Sequence, residues 1–170
     1  MKDIREYLTD SSKINAVITS GAILKNKILL KSFFEMAYSE EEKYSVRASY
    51  VICHLSKVKS DLIEPHTKQI ILKLSELNNS GVKKNFLKIF ESYILIKEDE
   101  LLGILIDVCY SFLLKPSESL ATRIYSMQII FNAAKEIPEL KTELKLVLEE
   151  ILIEEIPSLS QRAKRLLKSL

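Results

Sequence analysis

Glycine and proline are scarce in this chain of 170 residues, at three and four, and tryptophan is absent. Tight turns and close backbone approach to phosphate both need glycine, so the shortage excludes a turn-rich β-sandwich or barrel and any glycine-rich phosphate loop. Two cysteines are too few for a disulfide-stapled miniprotein. An excess of one charge is also missing: 25 lysines and arginines face 23 acids, a net +2, too balanced to imply an obligatory polyanion partner from bulk electrostatics. The most apolar stretch, Leu101 to Leu114, is interrupted by Gly103, Asp107 and Ser111. It is shorter than the roughly 20 residues a bilayer needs, so no membrane span is expected. The start, Met1-Lys2-Asp3-Ile4-Arg5-Glu6, mixes charges where a secretory signal needs a basic start and an apolar run, so no signal peptide is expected. Cys53 and Cys109 lie far apart inside helical patterns. Without an export signal they read as buried, reduced thiols of a cytoplasmic protein.

What is present is ordinary for a globular chain: 47% hydrophobic and 28% charged residues, which excludes disorder. The length predicts a single domain over residues 1–170, able to hide all but about 8,500 Å² of about 28,000 Å² of chain surface. Periodicity predicts about nine helices and no strand. In Glu139 to Ile156, Leu140, Leu144, Val147, Leu148, Ile151 and Leu152 form one apolar stripe, the mark of an amphipathic helix. Glu98 to Leu114 is apolar nearly all round except at Glu100, Gly103, Asp107 and Ser111, which predicts a helix with one narrow wet edge. Further helices are expected over about Lys13–Leu24, Lys27–Ala37, Ser45–Lys57, Pro65–Leu77, Val82–Ile94, Ser119–Ala134 and Leu159–Leu170.

Pro65 and Pro138 precede helical patterns, where the missing amide proton has no partner to lose, and mark helix starts. Their separation suggests a repeat of roughly half its length. One is visible: Ser45-Val46-Arg47, Gly81-Val82-Lys83, Ala121-Thr122-Arg123 and Ser160-Gln161-Arg162 each give a small residue, a spacer and a cation, at steps of 36, 40 and 39 residues. Each triplet is expected to open a helix. The unit is a helix, a short turn and a second helix, repeated three to four times.

The segments Ser45-Val46-Arg47-Ala48-Ser49-Tyr50-Val51-Ile52-Cys53-His54-Leu55 and Ser160-Gln161-Arg162-Ala163-Lys164-Arg165-Leu166-Leu167 resemble second helices of HEAT repeats. The resemblance covers about Lys27 to Leu170 and implies an all-α fold, a right-handed α-α superhelix or armadillo-type solenoid of stacked helix pairs. Asp3-Ile4-Arg5-Glu6-Tyr7-Leu8 and Ala163-Lys164-Arg165-Leu166-Leu167-Lys168 also resemble the ends of short bacterial HEAT-like proteins of unassigned role. Some of those carry the name adenylosuccinate lyase, yet the lyase's Ser- and Gly-rich mobile loop has no counterpart in this sequence. Thr122 and Gln161 replace the apolar spacer, so the later repeats are degenerate. Each pair has more apolar surface than it can bury alone and must stack on its neighbours.

The repeated cations Arg47, Lys83, Arg123 and Arg162 sit at the edge of an apolar stripe. The resemblance implies that they tie one repeat to the next through carboxylates or helix-end carbonyls; the alternative is direct ligand contact. A second basic set, Lys84 and Lys88 with Arg162, Lys164, Arg165 and Lys168, is expected on the surface. It either solvates a helix face and favours the terminal dipole, or lines a concave surface that pairs with phosphates or acidic peptides. The candidate binding residues are therefore Lys84, Lys88, Arg123, Arg162 and Arg165.

His54 beside Cys53 does not read as a metal site, because adjacent helical residues point about 100° apart. A zinc ion would have to gather Cys53 or His54, His66 and Cys109 across repeats. Glu136, Glu139, Glu143, Glu149, Glu150, Glu154 and Glu155 read as a solvated surface, since nothing would raise a carboxyl pKa for acid catalysis. Phe86, Phe90 and Tyr93 read as a core stripe. No catalytic set, metal or cofactor is expected. The function expected is a noncatalytic interaction module or scaffold that holds a protein segment, as a monomer or weak homodimer with no membrane role. The alternative is a binder of nucleic-acid backbone similar to DNA-alkylation-repeat proteins, which lacks the tryptophan that would stack on a lesion.

Overall fold

The computed structural model describes residues 3–170; the charge mixing read at Met1 and Lys2 lies outside the described residues. Among the described residues the chain is all helix and turn. After a 3-10 turn at Ile4–Tyr7 come α1 (Lys13–Lys25), α2 (Leu29–Ala37) and α3 (Glu42–Val58), then 3-10 turns at Ser60–Leu62 and Glu64–His66. They are followed by α4 (Thr67–Leu74), α5 (Ser80–Ser92), α6 (Asp99–Leu113), α7 (Leu120–Ala134), α8 (Glu139–Ile153) and α9 (Pro157–Leu167). The expected helix pairs are α2 with α3, α4 with α5, α6 with α7 and α8 with α9, and α1 precedes them.

The starts of α1, α5 and α7 are fixed by side chains that accept the first unpaired amide protons. Ser12 accepts from the Asn15 amide at 3.0 Å, Asn79 from Gly81 at 2.8 Å and Val82 at 3.2 Å, and Ser119 from Thr122 at 3.2 Å. The Asn79 cap is extended in its backbone; α4 stops at Leu74, three residues before the Leu77 expected from the sequence, with Ser75 as its C-cap. Pro65 lies in a 3-10 turn, and α4 begins two residues later. Pro157, which the sequence reading passed over, is the first residue of α9, where proline's missing donor is no loss. The triplets at Gly81 and Ala121 do open their helices, whereas those at Ser45 and Ser160 lie a turn inside α3 and α9.

The chain forms two compact units that meet at Leu95 and Ile96. In the first, α3 is the central helix and packs on α1, α2 and α5. Its core includes Ile23, Phe33, Ile52, Leu55, Ile70 and Phe86, all shut from solvent. In the second, α7 is central and packs on α6, α8 and α9, around Cys109, Leu113, Met127, Ile130, Leu148 and Leu159. Within each unit a second helix therefore touches the next second helix, α3 on α5 and α7 on α9, as stacked pairs require. The wet edge of α6 is observed: Glu100, Gly103, Asp107 and Ser111 are all exposed. Phe86 and Phe90 are buried and Tyr93 is half-buried, so that stripe is core.

Candidate functional site

The four repeated cations differ in surroundings. Arg47 on α3 donates from Nη1 to the carbonyls of Leu8 and Thr9, both at 2.7 Å, and so holds the segment before α1. Lys83 on α5 is buried. Arg123 on α7 is 1% exposed. Its Nε donates to the Leu113 carbonyl at 2.8 Å, and Nη1 and Nη2 donate to the two Glu154 carboxylate oxygens at 2.7 and 2.5 Å. Side-chain hydrogen bonding from Arg123 holds the Glu154 carboxyl below its usual range. Arg162 on α9 donates from Nη2 to Gln128 Oε1, and Gln128 Nε2 donates in turn to Asn132 Oδ1 at 2.7 Å.

Glu154 therefore does more than solvate the surface of α8, as the acidic run suggests. Asn85 is a further polar tie that sequence reasoning missed. Buried on α5, it donates from Nδ2 to Ser49 Oγ at 2.9 Å and to the Val46 carbonyl at 3.2 Å. Its signal was available: an amide set among Val82, Phe86 and Ile89 has no place on an apolar stripe without a partner.

The candidate binding residues do not form one cluster within a unit. Lys84 and Lys88 belong to the first unit and Arg123, Arg162 and Arg165 to the second. Lys84 is exposed; Lys88 is half-buried and bonded to Glu91 at 2.9 Å. Arg123, wholly buried, presents no donor to a ligand. Arg162 and Arg165 do share a site: with Lys164, Lys168, Ser158, Gln161 and Ile124 they line a cleft of about 640 Å³ along α9. No acid lines it. The Nε of Arg162 is buried there without a hydrogen-bond partner. A second cleft, of about 420 Å³, lies in the first unit and is of opposite character, lined by Glu40, Glu42 and Glu76.

The remaining chemistry-bearing residues are structurally occupied. His54 Nδ1 is 3.1 Å from Ser20 Oγ, and burial with nearby Lys57 and Lys13 lowers its pKa. His66 packs at a tilt against Phe34 with ring centres 4.5 Å apart, and burial lowers its pKa also. Burial pushes the Cys53 thiol up to about 11 and Cys109 up to about 12, which suppresses the thiolate a nucleophile requires. Among the described residues, no three His, Cys, Asp or Glu side chains are grouped to hold a metal. No described helix is long and apolar enough to cross a membrane.

The HEAT repeat domain family matches residues 5–170. The chain belongs to the HEAT repeat domain family. No curated protein and no solved structure matches it. HEAT repeat proteins are solenoids of helix pairs, typically noncatalytic, that commonly mediate protein interactions.

Proposed function

We propose that this HEAT repeat domain is a noncatalytic binding module that holds an acidic segment of a partner protein in the α9 cleft. The observation that carries the reading is the cleft's lining, in which Arg162, Lys164, Arg165 and Lys168 converge without a single acid. Cations on a rigid helix pair with carboxylates at little entropic cost to the helix itself, and the Ile124 side chain offers an apolar floor for a flanking residue. In this reading Arg47, Lys83, Arg123 and Arg162 serve structure, with Arg162 also bordering the cleft. The unbroken family match over residues 5–170 supports treating the chain as one domain. Two free, buried cysteines support a cytoplasmic setting.

A second reading, the nucleic-acid backbone, draws on the same cations. It is weaker because no aromatic side chain lines the cleft to stack a base. Titrating a glutamate-rich peptide, duplex DNA and single-stranded DNA at low and high salt separates the two. Saturable binding of the peptide, abolished in Lys164→Glu/Arg165→Glu, supports the proposal. Binding of DNA alone, with a steep salt dependence, replaces it by the second reading, and no binding of either removes both.

A further inference from the structure

The cations of α9 have no acid to answer them. Between Ile156 and Leu170 stand Arg162, Lys164, Arg165 and Lys168, with no aspartate or glutamate among them. Other helices set an acid one turn from a lysine, as in Lys31 with Glu35, Lys88 with Glu91 and Lys145 with Glu149. The side chains of Lys164, Arg165 and Lys168 make no ion pair or hydrogen bond among the described residues. Arg162 makes one, from Nη2 to the neutral Gln128 amide, while its Nε is shut from solvent with no acceptor. Uncompensated positive charges thus border the cleft of about 640 Å³.

Their spacing gathers them. Arg165 lies three residues after Arg162 and three before Lys168. The three side chains therefore follow one row of the helix, with about 5 to 6 Å between successive Cβ atoms. Gln128 pins Arg162 in place, whereas Arg165 and Lys168 are exposed and can close on a ligand.

A single carboxylate does not satisfy such a row. In this same chain the two oxygens of Glu154 are taken up by the prongs of one guanidinium, that of Arg123. The same arrangement on α9 would leave two of the row's cations unpaired. A phosphate monoester carries about −1.5 to −2 charges at neutral pH and three strong acceptor oxygens, so one group can meet two guanidinium groups and an ammonium. Several glutamates could match its charge, but each is a separate side chain to immobilise. A nucleic-acid phosphate is a diester with a single charge and falls short as a carboxylate does. No aromatic side chain lines the cleft to stack its bases.

We propose that a phosphorylated serine or threonine anchors the partner segment in the α9 cleft, its phosphate seated on Arg162, Arg165 and Lys168. The proposal rests on the reading that the cleft holds a protein segment, and it names the group that is recognised. Arg162 is fixed before binding, which lowers the ordering cost of the site. Lys164, four residues before Lys168, is left to meet acidic residues that flank the phosphate.

Fluorescence anisotropy of labelled peptides on the full chain tests it. Two peptides of equal net charge are compared, one with a single phosphoserine and one with a pair of glutamates in its place. The phosphopeptide is expected to bind about tenfold tighter or more, and its phosphorus NMR resonance to shift on binding. Arg165→Lys, at an exposed position, keeps the charge and the helical circular dichroism but loses the planar fork. It is expected to weaken the phosphopeptide several-fold and to leave the glutamate peptide nearly unchanged. Equal affinities for the two peptides, or an Arg165→Lys variant that holds the phosphopeptide as tightly as wild type, would overturn the inference and leave the acidic-segment reading standing. Inorganic phosphate that binds as tightly as the phosphopeptide, or duplex DNA that binds more tightly, would overturn it in favour of a small anion or a diester backbone. Failure of both peptides to bind removes the inference and the reading together.

Discussion

Arg123 and Glu154 form a two-pronged ion pair in which the arginine is sealed from solvent and the carboxylate keeps 29% of its surface exposed. Glu154 is the residue immediately after α8, and the third arginine donor takes the carbonyl of Leu113, the last residue of α6. One side chain on a second helix thus closes the ends of the first helices of two successive pairs. Helix-end carbonyls have no partner within their own helix, so the junction is a place where the repeat needs a donor with several arms. Arginine supplies them in a fixed planar fork that lysine lacks.

The first prediction concerns stability. Arg123→Ala leaves a helix-end carbonyl and a carboxylate without their donor and removes a packed stem, so denaturant melts are expected to show a loss of about 2 to 4 kcal/mol. Arg123→Lys does not restore it, because an ammonium reaches only part of the fork's three acceptors. Lys84→Ala, at an exposed position, changes stability by no more than about 0.5 kcal/mol. Equal losses at the two sites would contradict a structural role for the buried cation.

The same pair sets an acid limit. Glu154 has a folded-state pKa below its ordinary value of 4.5, so the stability it contributes is complete above that value and is lost as pH falls through the folded pKa. His54 and His66, both lowered from 6.5, act in the same direction at higher pH. Each favours protonation when unfolded, so stability begins to fall below about 6.5. Melts from pH 8 downward are expected to show both declines, and Glu154→Gln to be less stable at neutrality but flatter below 4.5. An unchanged acid slope in that variant would place the lost protons elsewhere.

Helix content and pairing are legible in this sequence because apolar periodicity survives even where propensity is ordinary. The stripe on α8 and the wet edge of α6 are visible to the residue. Polar ties are harder to read. Glu154 looks like its neighbours in an acidic run, and only a folded chain reveals which of seven glutamates faces a guanidinium 31 positions earlier. The division at Leu95 and Ile96 also leaves no mark, because Ile94, Leu95 and Ile96 are apolar and no glycine, proline or serine cluster punctuates them.

Gly81 carries the next prediction. It lies where α5 meets α3, and a Cβ there would come to 2.9 Å from Val46 Cγ2 and 3.1 Å from the capping Asn79 Oδ1. Alanine's better helix propensity is worth about 1 kcal/mol, but the overpacking it forces opposes this by about 1 to 3 kcal/mol. Gly81→Ala is therefore expected to lose stability, and Val46→Ala in the same chain to recover most of that loss, giving a favourable coupling energy in a double-mutant cycle. A plain gain from Gly81→Ala alone would mean that the helices yield at no cost.

The final prediction lies one residue beyond the ion pair. Glu155 has φ of 53°, and it is the one non-glycine residue with positive φ among those described. It occupies the position after the Glu154 C-cap of α8, where glycine is preferred because a Cβ crowds the following carbonyl. The crowding costs roughly 1 to 2 kcal/mol, while glycine's greater freedom in the unfolded chain returns about 0.5 to 1 kcal/mol of that. Glu155→Gly is therefore expected to stabilise the fold by about 0.5 kcal/mol, and Glu155→Val, with a branched Cβ, to weaken it. Glu154→Gly, next door, must instead lose stability because it empties the guanidinium fork. Paired denaturant melts give all three signs. A loss for Glu155→Gly as large as that for Glu154→Gly would show that Glu155 makes its own tie to the fold.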